Sequence, residues 1–222
     1  MKDDTDDLAD GAVTDPASMM AILTEQQRRI DRALLAPVPW LYLIWGVAWL
    51  VGFSLLWSAW DGGNPWFRIP MVVAAVGFAV LIAASIVAST IIGMRINRGV
   101  RGASDFAGAV YGMSWSLCGL AFYALGAGLD VNGASSELLS VYFPSAYGVM
   151  AGTLYLAGAA LWRDKGQLVI GIALLIVSSV APFAGQPANN LVLAIGGGGL
   201  FLVAAAVTWA HLAVPDKAQS NG

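Results

Sequence analysis

The sequence from Ile69 to Met94 reads IPMVVAAVGFAVLIAASIVASTIIGM and contains no Asp, Glu, Lys or Arg. A helix needs about 20 mainly apolar residues to cross the roughly 30 Å hydrocarbon layer of a bilayer. This stretch meets that requirement, so it predicts a membrane-spanning helix.

The composition of the whole chain agrees with this prediction. The protein has 222 residues, of which 58% are hydrophobic and 11% are charged, and its mean hydropathy is +0.72. Soluble domains carry about 25% charged residues, because they must cover their surface with polar groups. The composition excludes a soluble globular enzyme, a nucleic-acid-binding protein and a disordered chain, and it predicts a polytopic membrane protein.

One further apolar stretch precedes residues 69–94, and four follow them. We predict an all-α membrane protein, a bundle of six transmembrane helices within residues 37–214. The shortest stretch is the fifth, which ends at Pro182; if it were re-entrant, the C-terminus would change sides. The six predicted spans are approximately 38–60, 69–94, 106–129, 141–162, 168–183 and 191–214.

The N-terminal region divides into two parts. Residues 1–14 are acidic and poor in apolar groups, which predicts a disordered tail. Residues 15–36 have apolar side chains at steps of three and four, typical of an amphipathic helix. Asp15 and Pro16 suit its first turn, and Pro37 ends it.

Two interpretations of this helix remain open. It lies on the membrane surface with Arg28, Arg29 and Arg32 at the lipid phosphates, or it forms a cytoplasmic elbow that docks a partner. A second group of arginines, Arg95, Arg98 and Arg101, follows the second predicted span. This group is likewise expected to contact anionic headgroups or the acidic face of a soluble partner.

Basic residues fall on alternate connections between the predicted spans. The N-terminal region, the 95–105 connection, the 163–165 connection and the 215–222 tail carry them, whereas the other connections contain only Arg68. Cytoplasmic loops are enriched in Lys and Arg. We therefore expect a multi-pass protein of the plasma (inner) membrane with both termini and the short tail in the cytoplasm.

The apolar stretches lack the groups that several mechanisms need. Buried carboxylates mark proton-coupled transport, and no charged residue lies clearly inside a predicted span. Retinal proteins need a buried lysine, and Lys165 lies in a connection. With His211 as the single histidine and Cys118 as the single cysteine, we expect no metal site, no cofactor and no enzymatic activity.

The first predicted span carries an aromatic stripe. Its members recur at steps of three or four residues and would share one helix face: Tyr42, Trp45, Trp49, Phe53, Trp57 and Trp60. One interpretation is a surface that faces lipid or another helix. The other is one wall of a pocket for an apolar or cationic ligand, formed by Trp45, Trp49, Phe53 and Trp57.

Four consecutive glycines, Gly196, Gly197, Gly198 and Gly199, interrupt the last predicted span. No Lys-Ser or Lys-Thr follows them, which excludes a phosphate-binding loop. They are expected to permit close packing against the third or fourth span, or to form a local unwinding or hinge. Asn189 or Asn190 is expected to cap this span.

The layout resembles that of the permease subunits of some ABC exporters, in which a cytoplasmic amphipathic helix precedes six spans and both ends lie inside. The resemblance implies a transport component energised by a separate ATPase. The alternative is a non-transporting membrane scaffold, sensor or assembly partner, and a lipid-modifying enzyme ranks last. The expected partners are the lipid bilayer, a cytoplasmic ATPase subunit and further copies of the chain, but not nucleic acid.

Overall fold

The computed structural model describes residues 16–96 and 103–213, and all regular elements within these ranges are helical. The all-α prediction is therefore confirmed for the described chain. The predicted acidic tail at 1–14 and the predicted tail at 215–222 lie outside the described residues, as do Arg98 and Arg101.

The chain divides into two units, and the boundary follows Pro37. The first unit contains helix α1, Pro16–Leu35, in which the Arg29 Nε donates to a Glu25 carboxylate oxygen at 3.0 Å. This pair is four residues apart, a spacing that stabilises helices by a few tenths of a kcal/mol. The location of α1 at a membrane surface stays a prediction.

Within the described residues, the second unit contains seven α-helices. Helix α6 continues into a 3₁₀ turn, Ala181–Ala184, and α7 is joined to α8 by a π-helical segment, Leu193–Gly198. The helices are α2 (Val38–Ala59), α3 (Met71–Ile96), α4 (Ala103–Val131), α5 (Ser136–Trp162), α6 (Lys165–Val180), α7 (Ala188–Val192) and α8 (Gly199–Ala213).

In the part of this unit that the structure describes, five helical stretches are long and apolar enough to cross a membrane: Val38–Ala59, Met71–Arg95, Phe106–Val131, Lys165–Ala184 and Ala188–Ala213. The fifth predicted span, expected over 168–183, is longer than predicted because the Asp164 side chain caps its start. Helix α5 has 27 residues, but no 18-residue stretch of it reaches the mean hydropathy of 1.2 that each of the five candidate spans reaches. The predicted count of six spans is therefore not confirmed.

Side-chain caps explain two of these helix starts. The Ser135 hydroxyl accepts a hydrogen bond from the Leu138 N–H at the start of α5. The Asp164 carboxylate accepts from the Gly166 and Gln167 N–H groups at the start of α6. Both caps satisfy donors that have no partner within the helix.

Helix α2 and the last helical stretch, Ala188–Ala213, are the most buried of the five candidate spans. Helix α2 packs against α3 on one side and against α8 and the π-helical segment on the other, while α5 packs between α4 and α6. The core forms where α2, α6 and α8 meet, around Trp49, Leu174, Leu193 and Phe201. Helices α3 and α4 expose most of their apolar side chains, as expected for surfaces that face lipid.

The bundle has two ends. The Trp60 end comprises the connections 60–70, 132–135 and 185–187, and Trp60, Glu137 and Gln186 there line one depression. The Arg163 end lies opposite and comprises the starts of α2, α4 and α6 and the ends of α3, α5 and α8. Aromatic rings meet edge to face at this end, with centroids 4.7 Å apart for Tyr111 and Trp162.

Candidate functional site: a buried polar cluster beside the π-helical segment

Five polar side chains gather near the start of the last helical stretch, and we call them the Asn189 cluster: Ser145, Ser178, Gln186, Asn189 and Asn190. They come from α5, from α6 and from the chain at the start of α7. Ser178, Asn189 and Asn190 are almost completely buried, with exposed fractions of 0%, 0% and 1%. Such burial is unusual for Asn, which mostly lies at protein surfaces.

Gln186 and Asn190 form a hydrogen-bonded chain that begins near the surface. The Asn190 Nδ2 donates to the Gln186 Oε1 at 2.8 Å, and the Gln186 Nε2 donates to the Ser140 carbonyl at 3.0 Å. These two hydrogen bonds connect the start of α7 to the first turns of α5 and hold the Asn190 side chain inside the bundle.

Ser145 and Ser178 complete the cluster from the neighbouring helices. The Ser145 hydroxyl donates a long hydrogen bond to the Asn189 Oδ1, at 3.4 Å. The Ser178 hydroxyl lies directly against Gly148, where any added Cβ atom would overlap it. Because Gly148 is one turn from Ser145 on α5, Ser178 and Asn189 approach the same stretch of that helix.

Three polar atoms of the cluster have no hydrogen-bond partner in the described part of the chain: Ser178 Oγ, Asn189 Nδ2 and Asn190 Oδ1. A buried polar atom without a partner costs about 1–3 kcal/mol, and most buried side-chain polar atoms in folded proteins are paired. The cluster thus keeps one amide donor, one amide acceptor and one hydroxyl uncommitted.

Two depressions open at the Trp60 end. The larger, of about 550 Å³, lies beside Asp61 and Arg68, which form an exposed ion pair. The smaller, of about 370 Å³, is lined by Trp60, Asp61, Glu137, Val141 and Gln186, and we call it the Glu137 depression. Gln186 lines this depression and also accepts a hydrogen bond from Asn190. The Gln186 side chain therefore lies between the depression and the buried cluster.

The aromatic stripe of α2 is largely inside the bundle. Trp49 and Phe53 are 6% and 3% exposed, and the Trp49 ring meets Phe53 and Phe201 edge to face at 5.4 and 5.7 Å. Trp45 is half-buried, and its indole N–H donates to the Ser89 hydroxyl on α3 at 2.9 Å. These contacts favour the interpretation as a helix-packing surface over the interpretation as an open ligand wall, and Trp57 is also half-buried.

The glycine run lies against α2 and α6, rather than against the third or fourth span that the sequence suggested. A Cβ atom at Gly196 would lie 2.8 Å from Val177 Cγ1, and one at Gly197 would overlap the Trp49 ring. At Gly198 it would lie 2.6 Å from the Leu50 backbone nitrogen, whereas Gly199 has open space.

The structure describes only part of the two predicted arginine groups. Arg95 is exposed at the end of α3, but Arg98 and Arg101 lie outside the described residues. Arg28, Arg29 and Arg32 belong to α1, which forms the separate unit. Their predicted contacts with headgroups or a partner stay predictions.

Sequence reasoning missed the cluster. It treated Asn189 and Asn190 as caps, but Pro187 occupies the cap position without a side-chain bond, and both asparagines lie inside α7. The available signal was a pair of amides at the start of an otherwise apolar helix, since polar groups inside a membrane are expensive and mark functional sites.

The described residues contain no group of three or more His, Cys, Asp and Glu side chains that could hold a metal ion. Comparison with known proteins adds no family to this description: no family model, no curated protein and no solved structure matches the chain. The five described helical stretches that are long and apolar enough to cross a membrane support an integral membrane protein.

Proposed function

We propose that the protein is a permease-like transport component of the plasma membrane, energised by a separate cytoplasmic ATPase. The observation that carries the proposal is the buried Asn189 cluster beside a π-helical segment. Discontinuous helices with polar groups near the break form the substrate sites of many transporters. Single π-helical turns within α-helices also occur frequently at functional sites.

We further propose that α5 is a sixth span. Glu137 at its start lines the Glu137 depression at the Trp60 end, and Gly158 near its other terminus lies against Gln167 at the start of α6. If α4 and α6 both cross the membrane, the helix that joins the end of α4 to the start of α6 must cross back. The lower hydropathy of α5 fits its position between two helices, where small and polar side chains meet protein rather than lipid.

The distribution of basic residues supports cytoplasmic termini, with the Arg163 end of the bundle in the cytoplasm and the Trp60 end outside. Under this topology the Glu137 depression faces the outer solution. Both groups of arginines lie on the cytoplasmic side, where anionic lipid headgroups and a soluble ATPase are available to them.

An external energy source is proposed because the membrane helices carry no coupling group of their own. In α2, α3, α4, α5, α6 and α8, the charged side chains occur only near the helix ends. Ion-coupled transporters normally use an ionisable group inside the membrane. The energy for conformational changes in this bundle would therefore come from a separate protein, the cytoplasmic ATPase.

The test is affinity purification of the tagged protein in mild detergent, followed by mass spectrometry of co-purifying proteins. A variant with Arg95, Arg98 and Arg101 replaced by Glu reverses the cytoplasmic arginine group, and Arg68→Glu is the matched control at the opposite end. A stoichiometric ATPase that binds the wild type and the control, but not the reversed variant, supports the proposal. Recovery without any ATPase contradicts it.

The second candidate is a non-transporting scaffold, sensor or assembly partner, including self-assembly into a homo-oligomer. The tight packing of the aromatic stripe and of Gly196–Gly198 favours it, because both features are used in contacts between helices. This candidate predicts that the protein purifies alone or only with copies of itself. We propose no catalytic role and no cofactor for either candidate.

A further inference from the structure

We propose that the Asn189 cluster binds a small neutral solute that carries both hydrogen-bond donors and acceptors, and that this solute enters through the Glu137 depression. The inference deepens the proposed transport function by naming the class of molecule that the bundle takes up. Its entry from the outer solution rests on the topology given with that function.

The uncommitted atoms define the chemistry of the ligand. Asn189 Nδ2 donates, Asn190 Oδ1 accepts, and the Ser178 hydroxyl does either. A ligand that satisfies all three atoms must present an acceptor to the first and a donor to the second. Amides, ureas and small polyols have this character, whereas a purely apolar molecule would leave all three atoms unpaired.

The absence of charge around the cluster selects a neutral ligand. Its members are Ser, Asn and Gln side chains, and the aromatic ring nearest to Gly148 belongs to Trp49, whose Cη2 would lie 3.6 Å from an added Cβ atom. Among the described residues, the nearest carboxylates on the path are those of Asp61 and Glu137, which lie at the depression. A buried ion without a counter-charge pays a large desolvation cost, so a charged solute is disfavoured.

The route to the cluster follows α5 and Gln186. Val141 lines the Glu137 depression, and Ser145 lies one helical turn deeper on the same face. Gln186 lines the depression as well, and its side chain reaches Asn190. Rotation of this one side chain would open a path from the depression to Asn190, and the tight contact between Ser178 and Gly148 favours a small ligand.

The test uses the purified full-length protein in lipid nanodiscs, and thermal unfolding is followed as each solute is titrated. Acetamide, urea and glycerol are the neutral probes, and acetate and methylammonium are charged probes of similar size. The variants Ser178→Ala and Asn190→Leu each remove an uncommitted atom. Ser85→Ala is the matched control, because Ser85 is equally buried but its hydroxyl bonds to the Leu81 carbonyl at 2.8 Å.

A neutral probe is expected to raise the unfolding temperature of the wild type and of Ser85→Ala, with at least tenfold weaker apparent affinity in Ser178→Ala and Asn190→Leu. Equal shifts in all four proteins indicate general solvent effects and overturn the proposal, as does equal stabilisation by acetate or methylammonium. If Asn190→Leu fails to fold, Ser178→Ala, which removes one oxygen atom, decides the result. No ATPase takes part, so failure here is distinguishable from failure of the proposed function.

Discussion

Replacing Gly198 by alanine tests whether the glycine run exists for close contact with α2. The added methyl group would lie 2.6 Å from the Leu50 backbone nitrogen and 2.9 Å from its Cα. Backbone atoms inside a helix cannot move aside as the end of a flexible side chain can. Overpacking of this kind typically costs about 1–3 kcal/mol.

Gly199→Ala is the matched control in the adjacent position, because no atom outside its own helical turn lies within 4 Å of the added methyl group. Alanine is better than glycine in a helix by about 1 kcal/mol, and this gain applies to both variants. The gain therefore cancels in the comparison between them. Gly198→Ala should be less stable than Gly199→Ala by the overpacking term alone, about 1–3 kcal/mol.

The assay is equilibrium unfolding in mixed micelles, with helix content followed by circular dichroism as the fraction of denaturing detergent rises. The wild type is measured beside both variants. If Gly199→Ala loses as much stability as Gly198→Ala, the glycines serve a property of the whole segment, such as local unwinding, and the argument from contact with α2 is refuted.

Three further outcomes are expected. Trp45→Phe should cost about 1 kcal/mol by removing the hydrogen bond to Ser89, and a double-mutant cycle with Ser89→Ala should show coupling of that size; additive losses would contradict it. Asp164→Ala should destabilise the fold by about 1 kcal/mol through loss of the α6 cap, while Asp164→Asn retains most of the stability; equal losses would argue against capping. In a background without the native cysteine, a membrane-impermeant thiol reagent should label Ser135→Cys in intact cells and Lys165→Cys only after lysis, and the reverse pattern would invert the proposed topology.

Helix α5 shows how far the hydropathy of a sequence predicts a membrane fold. The sequence places a span from Val141, whereas the helix begins at Ser136, because the Ser135 hydroxyl caps it. No 18-residue stretch of α5 reaches the mean hydropathy of 1.2 that each of the five candidate spans reaches. A mean over residues does not tell whether a polar side chain faces lipid or another helix, and that distinction depends on the neighbours α4 and α6.

The candidate site was harder to predict than the helices for a related reason. Ser178 and Asn189 are eleven positions apart in the sequence, and Ser145 is more than thirty positions from either. No local sequence pattern links the three residues. The aromatic stripe, in contrast, was visible from its spacing, but spacing alone left two interpretations open. Tertiary contacts, such as those of Trp49 with Phe201 and Gly197, favour the packing interpretation.

The sequence by itself determined that this is an all-helical membrane protein, because too few charged residues are present to cover a soluble surface and the apolar stretches have the length of a bilayer. It also indicated where the chain turns, through proline, glycine and capping residues. The tertiary structure decided which helices touch and which polar atoms are buried without partners. These properties depend on how side chains distant in sequence fit together, and the cost of burying a polar group arises only when its neighbours exclude water.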